Sequence, residues 1–332
     1  MRDHASGTVD GPLGDLVNAS RFREALSLFL EWCERSVELA PVSQLLAAHS
    51  ALRLGEFQLA GTLAAAVQPE LYAIGDQDCL LDCANLLGAV AFERGNIDGA
   101  EIQFRSVLQM AEGAGCARFI ARSANNLAVI AHMRGHPRHA AALYQKALTA
   151  YQQIEDQRGI IETRYNLALS RRETGRAAAT LSACTRVVDA AERFGAGGLI
   201  ALTLLGRAEL LIECDALEQA AADIDRARLL AWLEGNEPHV LESERLQALL
   251  ALRRGQPAHA YRHAELVRSR ASHSGCALIA AESAALAALA LKADRRLPEA
   301  AVANDLAVAS LVALGATARL ENHARAWRGT AA

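Results

Sequence analysis

The stretch Asn85-Leu-Leu-Gly-Ala-Val-Ala-Phe-Glu-Arg-Gly95 is followed forty residues on by Asn125-Asn-Leu-Ala-Val-Ile-Ala-His-Met-Arg-Gly135, and after another forty by Tyr165-Asn-Leu-Ala-Leu-Ser-Arg-Arg-Glu-Thr-Gly175. The phase extends outward from this core. Gly55, Gly95, Gly135, Gly175 and Gly255 share one slot of the period, and Asp215 and Arg295 occupy the other two instances of it. Five residues beyond each slot stands a small residue: Ala60, Ala100, Ala140, Thr180, Ala220, Ala260 and Ala300. Seven further on comes another small or β-branched one: Val67, Val107, Ala147, Val187, Ala227, Val267 and Ala307. In two repeats an aromatic, Phe104 or Tyr144, lies between them.

This pattern has a direct physical reading. Glycine ends a helix because it enters the left-handed backbone region without a side-chain clash. A small residue soon afterwards lets the next helix approach the first closely, and the larger side chain one turn on fills the remaining space. Each unit is therefore helix A, a tight turn and helix B. No unit hides its apolar face alone, so neighbours stack into a quasi-one-dimensional array. Ser20-Arg-Phe-Arg-Glu-Ala25 reads as a further helix B whose alanine precedes Ala60 by only 35 residues, a shorter opening unit. The expected layout is a flexible terminus over 1–12 and a solenoid over 13–327, then a tail over 328–332. The solenoid comprises a partial unit over 13–38, about seven repeats to about 315 and a closing helix over 316–327 that either caps the array or pairs with another copy.

Composition agrees. Hydrophobic residues make up 52% of the 332, aromatics only 5%, and there are seven prolines. Alanine and leucine, which lose little side-chain freedom in a helix, dominate. The net charge of −4 and the lack of a concentrated basic face argue against nucleic acid as a partner. Arg171-Arg172 and Arg253-Arg254 sit where helix C-termini attract cations. No apolar run is long enough for a membrane span, and the polar start lacks a signal-peptide core. Seven scattered cysteines suit free thiols in a reducing compartment. The expectation is a cytoplasmic protein without membrane contact.

The runs Asn126-Leu127-Ala128 through Gly135, Ala140, Tyr144 and Ala147-Leu148, together with Gly88, Gly95, Ala100 and Phe104, resemble the tetratricopeptide repeat. The forty-residue period resembles the long-helix variety found in kinesin light chains, bacterial peptide-sensing regulators and sensor domains of large bacterial activators. The resemblance implies an all-α, right-handed solenoid of antiparallel helix pairs whose A helices line a concave groove. It also implies that an asparagine just before the leucine holds a ligand backbone. Asn126 and Asn166 match that slot, and Asn85 and Asn125 stand one residue earlier. An amide both donates and accepts, as a peptide group does; the other use of such asparagines is to bridge neighbouring repeats. Helical spacing adds Asp82, Phe92, Arg122, His132, Glu162, Tyr165, Arg172 and Glu173 to the candidate ligand-binding set.

Chemistry beyond binding has no foothold in the motifs. There is no phosphate-binding glycine loop, no zinc-protease helix and no nucleophile elbow. His132, His136 and His139, like His259 and His263, offer two or three imidazoles without an evident fourth ligand. Cys79 and Cys83 are spaced as buried small hydrophobes rather than as a redox pair. No metal, cofactor or catalytic residue is expected. The expected function is a non-catalytic adaptor or scaffold that binds a protein or peptide. The alternative is a regulatory sensor that binds a signalling peptide or small molecule and controls a partner in trans.

Overall fold

The computed structural model describes residues 10–170 and 177–329. Among them the chain is helical throughout, with no strand. Helices α1 (Asp10–Asn18) and α2 (Phe22–Glu34) open the array. Seven longer pairs follow: α3 (Pro41–Leu54) with α4 (Phe57–Ile74), α5 (Gln77–Glu93) with α6 (Ile97–Ala114), α7 (Ala117–Met133) with α8 (Pro137–Gln153), and α9 (Gln157–Ser170) with α10 (Ala177–Phe194). Then come α11 (Gly197–Glu213) with α12 (Leu217–Glu234), α13 (Glu237–Arg253) with α14 (Pro257–Ser274), and α15 (Ala277–Ala293) with α16 (Leu297–Ala313), before α17 (Thr317–Gly329).

The turns recur every twenty residues, twice as often as the glycine phase of the sequence suggests. Gly55, Gly95, Gly135 and Gly255 have positive φ, and Asp215 and Arg295 adopt the same conformation at φ 61° and 60°. A second series, Gly75, Gly115, Glu155, Gly195, Gly235, Gly275 and Gly315, does the same at the other end of each pair. Gly175 lies outside the described residues. The hydrogen bonding explains the brevity of the links. Gly95 N–H donates to Phe92 O at 2.9 Å and Asn96 N–H to Ala91 O at 2.8 Å, satisfying the last carbonyls of α5. Asn96 then accepts from Gly99 N–H at 3.0 Å and so caps α6. Two residues thus end one helix and begin the next.

The recurring small residues do what their spacing implies. Ala60, Ala100, Ala140, Ala220, Ala260 and Ala300 are all buried in the helix-pair interfaces, as are Val67, Val107, Ala147, Ala227, Val267 and Ala307. Gly88 is bare because the Phe104 ring occupies its side; a Cβ there would stand 2.7 Å from the ring.

The array makes one set of contacts beyond those between neighbouring repeats. The solenoid coils tightly enough for its second turn to rest on its first. A Cβ at Gly55 would meet Pro238 at 2.9 Å, one at Gly95 would meet Leu314 and Ala277, and Thr317 faces Gly135. The N-termini of α13, α15 and α17 therefore sit on the C-terminal ends of α3, α5 and α7, five pairs earlier. Two apolar clusters cross this seam. Leu45, Leu86 and Val90 share one with Leu241, Val267 and Cys276; Ile97, Phe104 and Leu127 share the other with Ala281, Ala307 and Leu311. Periodicity reports which residues face a neighbouring repeat, but carries no information about superhelical pitch.

Candidate ligand-binding lumen

Because side chains three and four apart share a helix face, each A helix turns one polar stripe inward. Successive stripes are linked by bonds between residues about one repeat apart. Asn126 donates an amide N–H to Asn85 Oδ1 at 3.3 Å, and Asn166 does the same to Asn125 Oδ1 at 3.2 Å. Asn85 and Asn125 are buried; Asn126 and Asn166 are half-buried. The carbonyl oxygen and second N–H of Asn126 and Asn166 make no further hydrogen bond among the described residues.

Beside this ladder lies an ion cluster. Asp82 of α5 lies 3.2 Å from His49 Nε2 on α3, and receives Arg122 at 2.8 Å and Arg118 at 3.1 Å from α7. Burial pushes the Asp82 carboxyl up, but the His49 hydrogen bond and the charges of His49, Arg122 and Arg118 outweigh it and hold the pKa at about 2. Asp82 therefore stays ionised and binds three consecutive A helices together.

Asn85, Asn125 and Asn126 of the ladder and His49 and Arg122 of the cluster form one wall of a half-open cavity of about 270 Å³. Asn85, Arg122, Asn125, Asn126 and Glu162 line it from the first turn, with His49, Arg53, Glu93 and Tyr151. Asn236, Pro238 and His239, at the start of α13, close it from the second turn. Burial pushes Glu93 up to about 7 against the pull of Arg53. Burial and the charges of Arg53 and Arg158 push His239 down to about 4, so its ring is neutral at physiological pH. Its Nδ1 is buried and without a hydrogen-bond partner.

Further along the lumen a second centre joins the A helices of the second turn. Arg245 donates to Glu242 through Nε at 2.8 Å and Nη2 at 2.6 Å, and lies 3.3 Å from Glu282 and 3.5 Å from Glu209. Arg319 of α17 reaches Glu282 at 2.7 Å and Glu209 at 3.4 Å. Three carboxylates and two guanidiniums, with Arg245 only 5% exposed, tie α11, α13, α15 and α17 together. Removing one partner from so buried a set strands a charge, which is costly.

The candidate residues divide as follows. Asn85, Arg122, Asn125, Asn126 and Glu162 come together at the cavity, with Asp82 holding Arg122 in place. Asn166 extends the ladder beyond the cavity wall, and His132 is half-buried near the end of α7, away from it. Two make packing contacts. Tyr165 is buried with its ring in the space that Gly206 leaves open, a packing contact between α9 and α11. Phe92 packs into the apolar cluster across the seam. Arg172 and Glu173 lie outside the described residues. Sequence reasoning missed His49, Arg53, Glu93 and His239. Arg53 and Glu93 share a phase, each two residues before its glycine, which is a readable signal; His239 reaches the cavity only through the coiling.

Among the described residues no three histidine, cysteine or acidic side chains are grouped to hold a metal ion. No described helix is long and apolar enough to cross a membrane. Cys79 and Cys83 have thiols raised by burial to about 12 and about 11.

Residues 79–153 match the tetratricopeptide repeat family model. No curated protein matches the sequence. Several solved structures share the fold. NprR in complex with its cognate peptide NprX is 15% identical, with 98% of each chain covered and a TM-score of 0.63. A Rap protein complexed with competence and sporulation factor is 12% identical over 96% of this chain and 94% of that one, with a TM-score of 0.61. The Rap conjugation gene regulator of plasmid pLS20, in complex with the Phr* peptide, is 13% identical over 82% of this chain and 75% of that one, at 0.63. The described chain thus shares the helical-solenoid fold of these structures, and its residues 79–153 are similar to tetratricopeptide repeats.

Proposed function

We propose that this chain binds a short peptide in its lumen and regulates a partner in trans. The observation that carries the reading is the asparagine ladder. It sets amides with unused donors and acceptors at repeat spacing, Asn126 in the cavity wall and Asn166 beyond it, the arrangement an extended backbone can pair with. The three similar structures named above were each solved with a peptide or factor bound. The seam supports the sensor over the adaptor. The start of the second turn borders the cavity beside the ladder, so a ligand seated there touches both turns.

A peptide array of mixed sequences tests the reading. The native chain is expected to select a subset, and Asn126→Ala with Asn166→Ala to weaken that capture at least tenfold. Each substitution also removes one ladder bond, worth about 1 kcal/mol, so a modest fall in melting temperature accompanies the loss. Equal capture by the double variant, or no selection by the native chain, refutes the proposal.

A further inference from the structure

Two ion pairs join successive B helices at one spacing. Lys146 of α8 pairs with Glu112 of α6, and Arg226 of α12 with Glu192 of α10, each across 34 residues. The same step back from Arg186 of α10 leads to Gln152 of α8, an uncharged side chain. Arg186 has no ion pair among the described residues; it donates instead to Ser182 Oγ of its own helix at 2.9 Å. This rung thus has its cation but lacks the carboxylate that the rungs on either side supply.

Arg186 stands at a half-open groove of about 520 Å³ between α9 and α10. Ile161 and Leu167 of α9 and Val187 and Ala190 of α10, all buried or half-buried, give the groove an apolar floor. Arg164 and Arg193 line it as well, both exposed and without an ion pair among the described residues. The one acid in the lining, Asp189, also acts on Arg207 of α11, whose pKa it helps to raise. Three guanidiniums therefore surround apolar surface with a single carboxylate among them. The groove is on the far side of α9 from the asparagine ladder, because Arg164 and Asn166 are two residues, or about 200°, apart around the helix.

We infer that this groove docks an acidic amphipathic helix of a partner protein, with the helix's apolar face on Ile161 and Val187 and its carboxylates on Arg186 and Arg193. Positive charge around an apolar floor is complementary to such a helix in both respects. Arg186 and Arg193 are seven residues apart on α10, a rise of about 10 Å, which matches acids two turns apart on a helix lying alongside. A nucleic-acid strand fits less well. Three cations neutralise few phosphates, and the floor has no aromatic ring for a base to stack on. The groove shares no lining residue with the cavity beside the ladder, so the inference does not rest on the peptide reading.

Fluorescence anisotropy with the full chain tests it. The probe is a pool of short helical peptides, acetylated and amidated, with leucines on one face and glutamates seven residues apart beside them. One control pool carries glutamine for glutamate, another serine for leucine, and a third probe is single-stranded DNA. The native chain is expected to bind the acidic pool at least tenfold more tightly than any control. It should also bind that pool at least tenfold more tightly than Arg186→Glu with Arg193→Glu does. Both residues are exposed, so that variant keeps the native circular dichroism and melting temperature. Gln152→Glu restores the missing acid of the rung and is expected to weaken binding at least threefold. The Asn126→Ala, Asn166→Ala variant should bind the acidic pool as the native chain does, which separates this site from the lumen. Failure of the acidic pool to bind, equal binding by the charge-reversed variant, or equal or tighter binding of a control probe overturns the inference. Unchanged binding by Gln152→Glu, or loss of binding in the asparagine variant, does so too.

Discussion

At the scale of single residues, the inner wall is a set of polar groups kept in shape by their neighbours' charges. Asp82 is the anchor on one side, and Glu93 is its opposite. Burial raises Glu93 from an ordinary 4.5 to about 7, only partly offset by Arg53, with Cys276 and the start of α13 at the same seam. The folded chain therefore holds a proton that the unfolded chain releases. Its contribution to stability is complete below about 4.5 and is lost as the pH rises through 7. Between pH 5 and 7.5 the native melting temperature should fall relative to that of Glu93→Gln by a few degrees, as followed by circular dichroism. Parallel curves would mean that Glu93 ionises freely. The sequence marks the ladder asparagines, because they recur forty residues apart in two adjacent phases, Asn85 with Asn125 and Asn126 with Asn166. It marks Tyr165 misleadingly: an aromatic on an inward-facing stripe turned into the core once Gly206 left room for it.

At the scale of helices and turns, the sequence is most legible where backbone geometry demands a residue type. The glycine phase through Gly55, Gly95 and Gly135 locates one series of turns, and the second series through Gly75, Gly115 and Gly235 was equally visible once the period was halved. Asp215 and Arg295 show that the turn survives without glycine, since the helices on either side hold the left-handed conformation in place. That conformation costs a residue with a side chain about 1 kcal/mol relative to glycine. Both side chains are exposed and make no hydrogen bond among the described residues, so Asp215→Gly and Arg295→Gly should each stabilise the chain by about 0.5–1 kcal/mol in urea unfolding. A loss of stability on both would mean that these side chains hold contacts of their own.

At the scale of the whole molecule, the decisive feature is the pitch. It brings the start of α13 against the end of α3, so that residues of both turns border one cavity. No local pattern in the chain announces it, because pitch accumulates from small rotations between repeats that each look alike. His239 is invisible in the sequence for that reason, as is the place of Leu311 and Leu314 at the seam. The cavity wall is drawn from both turns, so on the proposed function a bound peptide would touch both. The most direct test is photo-crosslinking with a pool of short peptides carrying a diazirine side chain, followed by mass spectrometry of the labelled residues. The account predicts labels on the inward stripes of α3, α5, α7 and α9, around Arg53, Ala89 and Asn126. Labels confined to the outer B helices, at Ile102, Leu229 or Leu266, or no labelling at all, would contradict it.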